Sequence, residues 1–494
     1  MIDLSSLQSL QTPNRTNSRV DFNMTGGGQI LLDSLTSITG PGQARFNVTS
    51  GSFALGALEN AAHMGVFLGT NASFDAPSLT QVTGNGLELS LASGSTFEAG
   101  ALASANNLRF TSFENGSSFI APNLTELTSS TVNLSPGRTF TTGLLTNINN
   151  TLFGVEGGVE FGVVSGHIGA TSLSTTGRTS ATVMSSSGTG SLLDMSSLQS
   201  WNANAGNPGF DYVQSVNATS SGVIDLSSLQ SLQTPNRTNS RVDFNASAGG
   251  IIDLSSINSI TGPGQARFNI LGGGEIRFGN LEVSGNTRII VADVTSVFNV
   301  QGSLFMSGPS SVNVGTGGTI TLNTHFTFDY TDETRLQMQS GRLNMVGGGF
   351  SFLEVGGLDA GAVFDPGVNG NFGIGQLVLG ADGNEKFVQL IDVFDNGNRV
   401  GGTPGTEALY LYGLGGPAGL VLESGSTLNI NNINVYVAVD GVMVHLNSLF
   451  TSGQTMITYG DGFILLPSPG AAGMLALGAL VLGRRRREAV RPTV

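Results

Sequence analysis

A six-residue unit recurs along the first two thirds of the chain and limits the fold more than any other feature. The unit is apolar at its first position, usually apolar or small at its third, and Leu or Ile at its sixth. It reads IDLSSL at Ile2, ILLDSL at Ile30, FALGAL at Phe53, FDAPSL at Phe74, FEAGAL at Phe97, FIAPNL at Phe119, FTTGLL at Phe140, IGATSL at Ile168, LDMSSL at Leu193, IDLSSL at Ile224, IDLSSI at Ile252 and IRFGNL at Ile276. Successive starts lie 21 to 31 residues apart. Repetition at this period is typical of a solenoid, in which each repeat stacks on the one before.

Each unit is predicted to form a short strand followed by a corner. Alternation over the first three residues turns the first and third side chains to the same side, as in a strand. The fourth position holds a turn-compatible residue, such as Gly56, Pro77 or Gly100. A corner there would return the sixth side chain to the interior. We therefore predict a parallel β-solenoid of about 14 coils, counting weaker units near Phe298 and Ile320.

A leucine-rich-repeat-like solenoid has a similar period and is the alternative fold. It would need compact helical segments and an Asn at a fixed place after the strand, whereas stretches such as TGNGLELSLASGST alternate as strands do. In the β-solenoid, one position in four successive coils is held by Phe74, Phe97, Phe119 and Phe140. These rings should then stack as an internal aromatic ladder.

The six-residue unit disappears at about residue 342. Segments such as FSFLEV, ALYLYGL and NVYVAV still alternate and are predicted to be strands. They should extend or cap the solenoid, because an uncovered last coil would expose unpaired strand edges. The predicted organisation is a solenoid over 1–341, a β-rich extension or cap over 342–462 and a terminal segment over 463–494.

The chain is acidic, with a formal net charge of −14, and Lys386 is its single lysine. Proteins that bind nucleic acid draw affinity from clustered Lys and Arg side chains that face phosphates. The charge balance therefore argues against a nucleic-acid partner. Cysteine is absent, so the fold must be held by packing, without disulfides or thiolate metal sites.

No catalytic motif stands out in the sequence. The four histidines, His63, His167, His325 and His445, lie far apart and share no motif. Polysaccharide lyases built on solenoids need a Lys or Arg base beside clustered carboxylates, whereas the acidic residues of the repeats fall mostly singly. We therefore predict no catalytic residues and no cofactor.

The segment DVFDNGN is the best candidate for a metal site. Its potential ligands are Asp392, Asp395, Asn396 and Asn398. Closely spaced oxygen ligands suit calcium, but the spacing does not match an EF-hand. Since Asp-Asn-Gly is also a common tight-turn sequence, a turn is the favoured interpretation and calcium the alternative.

The chain closes with a short apolar segment between prolines and arginines. As a helix, residues 471–482 would be about 18 Å long, shorter than the roughly 30 Å hydrocarbon core of a bilayer. Pro467 and Pro469 precede this segment and leave an extended strip. Four consecutive arginines follow it, which would keep this end on the cytoplasmic side of a membrane. They are Arg484, Arg485, Arg486 and Arg487.

This combination resembles the PEP-CTERM sorting signal of bacteria, which joins a Pro-Glu-Pro-like motif, a short apolar helix and an arginine cluster. Here the motif is Pro467, Ser468 and Pro469, with Ser468 where the family usually has Glu. The segment from about residue 342 is similar to the terminal part of large repetitive PEP-CTERM surface proteins of planctomycete style. The resemblance implies export to the cell surface, transient membrane anchoring by 471–482, and a sorting and processing membrane peptidase as a partner.

These features predict an exported, non-enzymatic β-solenoid with a structural or adhesive role at the bacterial surface or in an extracellular matrix. Extracellular polysaccharide is its candidate ligand. The alternative is a polysaccharide lyase or hydrolase on the same scaffold.

The beginning of the chain matches the inside of a coil. Residues 2–23 recur unchanged at 224–245, and this alignment places Met1 opposite Val223. A GTG valine codon is also a bacterial start codon, so we expect GTG at residue 1. A longer reading frame would then supply further coils, an N-terminal cap and a signal peptide.

Overall fold

The computed structural model describes residues 1–162, 168–206, 209–283, 285–364, 370–381, 383–415 and 418–466. The protein is all-β, with 50% strand and 2% helix, and forms a parallel β-solenoid of about 18 turns. It divides into two compact units, Met1–Arg277 and a second that begins at Phe278. The predicted helix over 471–482 and all the sorting-signal residues lie outside the described residues.

Each coil of the first unit carries up to three strands, which form three faces. The first face, which holds the start of the six-residue unit, comprises Ile2–Asp3, Ile30–Leu31, Ser52–Ala54, Ser73–Asp75, Thr96–Glu98, Ser118–Ala121, Thr139–Thr142, Glu160–Phe161, Leu192–Asp194, Val223–Asp225 and Ile251–Leu254, and Glu275–Phe278 ends at the unit boundary. The second face comprises Ser9–Gln11, Ser37–Thr39, Ser104–Asn106, Glu126–Thr128, Ser172–Ser174, Ser200–Asn202, Ser231–Gln233 and Ser259–Thr261. The third comprises Arg19–Met24, Gln43–Val48, Arg109–Phe113, Thr131–Leu134, Leu152–Glu156, Ala181–Ser187, Val213–Thr219, Arg241–Ser247 and Gln265–Leu271, while Asn60–Leu68 and Gln81–Leu91 cover both faces.

The corners that lead into first-face strands need unusual backbone angles. Asn71 has φ 57° just before Ser73–Asp75, and Gly94 has φ 71° just before Thr96–Glu98. Gly and Asn adopt this left-handed region at the lowest cost, whereas Ser221, with φ 65°, holds the same place before Val223–Asp225.

The predicted aromatic ladder is confirmed in the first unit. Strand pairing aligns Phe53, Phe74, Phe97, Phe119 and Phe140 as direct neighbours in successive coils. Their ring centroids are 5.5, 5.7, 5.6 and 5.0 Å apart in that order. The rings lie in the interior, and the middle three are fully buried. The register predicted from the six-residue unit is therefore that of the fold.

The unit assigned to Ile168 is the exception, and that assignment was wrong. Glu160–Phe161 pairs with Leu192–Leu193, so Phe161 holds the first position of this coil. Ile168 instead pairs with Leu145, the sixth residue of the preceding unit. Phe161 stands 21 residues after Phe140, whereas its coil takes seven residues instead of five to reach the sixth position. Because of the two extra residues, Phe161 and Ile168 are not separated by the five positions of the repeat, and the six-residue pattern does not identify this coil.

The second unit repeats the same three faces. Its first face has Val297–Val300, Thr319–Leu322, Ile374–Leu379 and Leu420–Leu422, and its second has Leu281–Val283, Leu304–Ser307, Phe326–Asp329, Gly349–Glu354, Lys386–Ile391, Thr427–Asn429 and Gly462–Leu465. Its third has Thr287–Val291, Ser311–Val314, Ala408–Leu411 and Asn434–Val439, and Leu336–Met345 passes from the third face into the first. The described residues of this unit also form three 3₁₀ helices, Glu333–Arg335, Val400–Gly402 and Leu446–Leu449.

Coils continue past the end of the recognisable repeat. The first-face ladder runs through Phe298, Ile320, Leu343, Leu377 and Leu420. The expected boundary at 341/342 thus falls inside the strand Leu336–Met345, and the expected 14 coils were too few. After Phe298 and Ile320 the inward residue of the second face, Leu304 or Phe326, comes at the seventh position instead of the sixth, while the first position stays apolar.

Antiparallel hairpins end the described part of the second unit. Val442–His445 folds back on Asn434–Val439, and Met456–Tyr459 pairs with Gly462–Leu465. Such hairpins cover strand edges that a parallel stack would leave open, as expected of a cap.

Strands on three faces exclude the leucine-rich-repeat-like alternative, whose convex side would be helical. In the described residues, no helix has the length and apolar character that crossing a membrane would require.

Candidate functional site: a polar groove and a buried carboxyl cluster

A groove lies on the second face of the first unit. Its base is a sheet of four parallel strands, Ser172–Ser174, Ser200–Asn202, Ser231–Gln233 and Ser259–Thr261, paired residue for residue. The groove is open to solvent and has a volume of about 420 Å³. This volume lies within the range of small-molecule sites in proteins.

Alternation along these strands separates the floor of the groove from its lining. The middle residues Leu173, Trp201 and Leu232 point inward and are at most 2% exposed. The residues on either side of them point outward, because successive side chains of a strand alternate. The lining is therefore polar over an apolar base.

Buried hydrogen bonds hold the floor in place. Trp201 Nε1 donates to Thr175 Oγ1 at 3.0 Å. The Thr175 hydroxyl donates to Gln214 Oε1 at 2.6 Å, and Gln214 Nε2 donates to the carbonyl of Arg178 at 2.6 Å. Every polar side-chain atom of Trp201, Thr175 and Gln214 therefore has a partner, as a rigid buried network requires.

Five of the lining side chains, in contrast, are not used by the protein itself, whereas Asn202 Oδ1 accepts from the N–H of Asn204 at 2.9 Å. Within the described structure, Ser172, Ser200, Ser231, Gln233 and Thr261 make no side-chain hydrogen bond. The groove thus presents several unengaged donors and acceptors on a rigid base.

The third face of the same coils shows the opposite arrangement. Asn245 Nδ2 donates to Asn217 Oδ1 at 2.7 Å, and Asn269 Nδ2 donates to Asn245 Oδ1 at 2.7 Å. These amides stabilise the stack from outside by bonding to one another. Outward polar side chains therefore bond to one another on the third face, whereas in the groove five of them are left available to a ligand.

The groove was not predicted from the sequence. Its serines follow no recognisable motif and are ordinary in a chain rich in Ser, Thr and Asn. The available signal was the Ser-x-Ser/Asn/Gln/Thr pattern at one place in four successive coils.

The calcium candidate DVFDNGN lies in the second unit, where Asp392 binds protein groups. Its carboxylate faces Arg399, whose Nε donates to Oδ1 at 2.8 Å, and the two side chains are 1% and 9% exposed. Oδ2 accepts from the backbone N–H groups of Gly405 at 2.6 Å and Thr406 at 3.1 Å. Asp392 therefore anchors the long connection that leads to Ala408–Leu411.

The other three candidate ligands also contact the chain itself. Asp395 Oδ1 accepts from the N–H of Gly397 at 3.0 Å, which makes a tight Asx turn. The amide of Asn396 donates to the carbonyl of Tyr330 at 2.8 Å, and that of Asn398 to the carbonyl of Gly356 at 2.7 Å. In the residues that the structure describes, no group of three or more acidic or histidine side chains is arranged to hold a metal ion.

Two buried glutamates complete this cluster and were missed in the sequence. Glu354 and Glu407 are each 1% exposed. Glu354 Oε1 accepts from the N–H groups of Val393 at 2.8 Å and Phe394 at 2.9 Å. Their only sequence signal is an acidic residue inside or beside an apolar strand, as in FSFLE.

Glu407 connects the Asx turn at Asp395 with the ion pair between Asp392 and Arg399. Its Oε1 accepts from the N–H groups of Asn396 at 3.0 Å and Asn398 at 3.1 Å, and its backbone N–H donates to Asp392 Oδ2 at 3.3 Å. Among the described residues, Glu407 Oε2 is buried without a hydrogen-bond partner.

Burial raises the pKa of both glutamates. The pKa of Glu354 rises from its ordinary 4.5 to about 9, because burial disfavours the charge and the carboxylates of Asp392 and Glu407 lie near. The pKa of Glu407 rises to about 8, through burial first and the carboxylate of Asp392 second. Both glutamates are therefore neutral near pH 7 and hold the connections together as hydrogen-bonding groups.

Calcium should not stabilise the second unit, since both carboxylate oxygens of Asp392 already accept hydrogen bonds from Arg399 and from backbone N–H groups. We expect the melting temperature to be the same in millimolar calcium and in EDTA. A ligand at about 100 times its Kd would add about 2.7 kcal/mol, an easily measured rise. Magnesium is the matched control. A saturable increase with calcium and not with magnesium would contradict this prediction.

No protein-family model matches the chain, and neither does any curated protein or solved structure in the comparisons. Its function has to be inferred from the scaffold, the groove and the charge distribution.

Proposed function

We propose that this chain is an exported structural or adhesive protein of the bacterial surface or an extracellular matrix. The observation that carries the proposal is the stack of in-register coils, held by aromatic and asparagine ladders without any cysteine. Such a stack is a rigid support whose faces repeat at the strand spacing of about 4.8 Å. Faces of this kind suit repeated contacts with a polymer or a surface.

The resemblance of the terminal residues to a PEP-CTERM signal supports export. The partner would be a membrane peptidase that cleaves near Pro467 to Pro469, and residues 471–482 would hold the chain at the membrane until then. These residues lie outside the described structure, so the support comes from their sequence.

The charge distribution supports a partner other than nucleic acid. Several of the arginines that the structure describes face acidic side chains. Arg109 pairs with Glu88 at 2.8 Å, and Arg241 pairs with Asp243 at 3.0 Å. Arginines neutralised in this way do not form the cationic surface that phosphate binding requires.

Processing provides the test. In the native bacterium, intact mass spectrometry of the surface or secreted protein should show a C-terminus near Pro467 to Pro469, without the four arginines. A variant with Arg484, Arg485, Arg486 and Arg487 all changed to Ala should accumulate unprocessed. The matched control changes Arg491 to Ala, outside the cluster. Recovery of mature surface protein that still bears Arg487 would rule out the sorting role.

A further inference from the structure

We propose that the groove on the second face of the first unit binds an uncharged, extended polysaccharide that runs along the coil stack. This inference deepens the proposed surface function and rests on it for the source of the ligand. The binding chemistry itself follows from the groove.

The lining selects for neutral hydroxyl-rich ligands. The lining residues Ser172, Ser200, Asn202, Ser231, Gln233 and Thr261 are all uncharged. Hydroxyl and amide groups can both donate and accept, as sugar hydroxyls do. An anionic polymer would find no cation in this lining and would approach a chain whose net charge is −14.

The groove favours a chain over a single sugar. Four paired strands at about 4.8 Å spacing extend over about 14 Å, so equivalent groups recur along this length. A ligand with its own repeat can bond to successive coils. We therefore expect affinity to rise with oligosaccharide length until the groove is filled.

The lining is also arranged in advance for binding. Serine and threonine lose little side-chain freedom when they are fixed, and the strands that carry them rest on the Trp201 and Thr175 network. A ligand therefore does not have to order the groove when it binds. The free hydroxyls matter here because the equivalent outward groups on the third face are bonded to one another.

The test is binding of the full chain to dextran, soluble starch and galactomannan, with alginate as the anionic comparison. Affinity electrophoresis should find at least one neutral polymer that binds, and calorimetry with its oligosaccharides should show the length dependence. The double variant Ser200→Ala with Gln233→Ala should bind at least about fivefold more weakly, since two hydrogen bonds are lost. Ser200→Trp, which fills the groove from its middle, should abolish binding.

The matched control is the double variant Ser52→Ala with Gln29→Ala, which makes the same changes at exposed positions outside the groove. It should bind as the parent does. Circular dichroism should show that all variants keep their strand content. If no neutral polymer binds, if only alginate binds, or if the groove variants match the parent, the inference is wrong.

The outcomes also separate this inference from the proposed function. Correct processing and surface location without binding would remove the groove ligand and keep the surface role. Binding of a neutral polymer followed by release of reducing ends would keep the groove ligand. It would replace the structural role by that of a polysaccharide-active enzyme.

Discussion

Replacing Phe97 by alanine should lower the free energy of unfolding of the first unit by about 3–5 kcal/mol. The ring is fully buried and stacks between Phe74 at 5.7 Å and Phe119 at 5.6 Å. Removing it loses the transfer energy of the ring and leaves a cavity. The cavity cannot close, because strand pairing fixes the backbone of the coils on both sides.

Phe97→Asp should be more damaging than Phe97→Ala, because it adds an unpaired buried charge to the cavity. The control is Phe210→Ala in the same unit, since Phe210 is 55% exposed and should cost little. Thermal unfolding gives the overall effect. Hydrogen exchange should show the loss of protection concentrated in the strands from Ser73 to Thr142. A melting temperature that does not change in Phe97→Asp would contradict the ladder.

The second unit should become less stable as the pH rises from about 4.5 to about 9. In the folded chain Glu354 and Glu407 keep their protons up to about 9 and about 8, whereas an unfolded chain loses them near 4.5. Between these limits the folded state binds more protons than the unfolded state, so its stability falls with pH. The slope is at most about 1.4 kcal/mol per pH unit for each group. The stability that the two protonated glutamates contribute is fully present below pH 4.5 and lost above pH 9.

Glu407→Gln should remove much of this pH dependence. The glutamine carbonyl can accept from the N–H groups of Asn396 and Asn398 as Glu407 Oε1 does, but the side chain cannot ionise. Relative to the parent, the variant should therefore gain stability above pH 8 and change little at pH 5. Glu354→Gln should act in the same direction.

Glu385→Gln is the control, because Glu385 is exposed in the same unit. Thermal unfolding across pH 5 to 9.5, with hydrogen exchange at Gly349–Glu354, Lys386–Ile391 and Ala408–Leu411, gives the measurement. A parallel pH profile for Glu407→Gln and the parent would show that Glu407 does not carry the proton in the folded state.

The sequence by itself determined the repeating part of the fold. Phe74, Phe97 and Phe119 were placed correctly because each coil must bury one apolar residue at the same point, and a constant spacing makes that point visible. The coil that begins at Phe161 has two extra residues, and the same rule therefore assigned its first position to Ile168 instead of Phe161. Beyond Leu343 the connections lengthen, and the repeat is no longer readable although the ladder continues.

Only the tertiary structure decided the buried cluster and the groove. Glu354, Asp392 and Glu407 lie up to 53 residues apart and meet because successive coils stack, and the neutral state of the two glutamates follows from that burial. The groove serines are equally inconspicuous in the sequence. Their hydroxyls are free only because of the coil and face on which they lie, while similar groups on another face bond to one another. Local spacing determines which side chains point inward. Whether an outward polar group is hydrogen-bonded or free depends on the neighbours that adjacent coils place beside it.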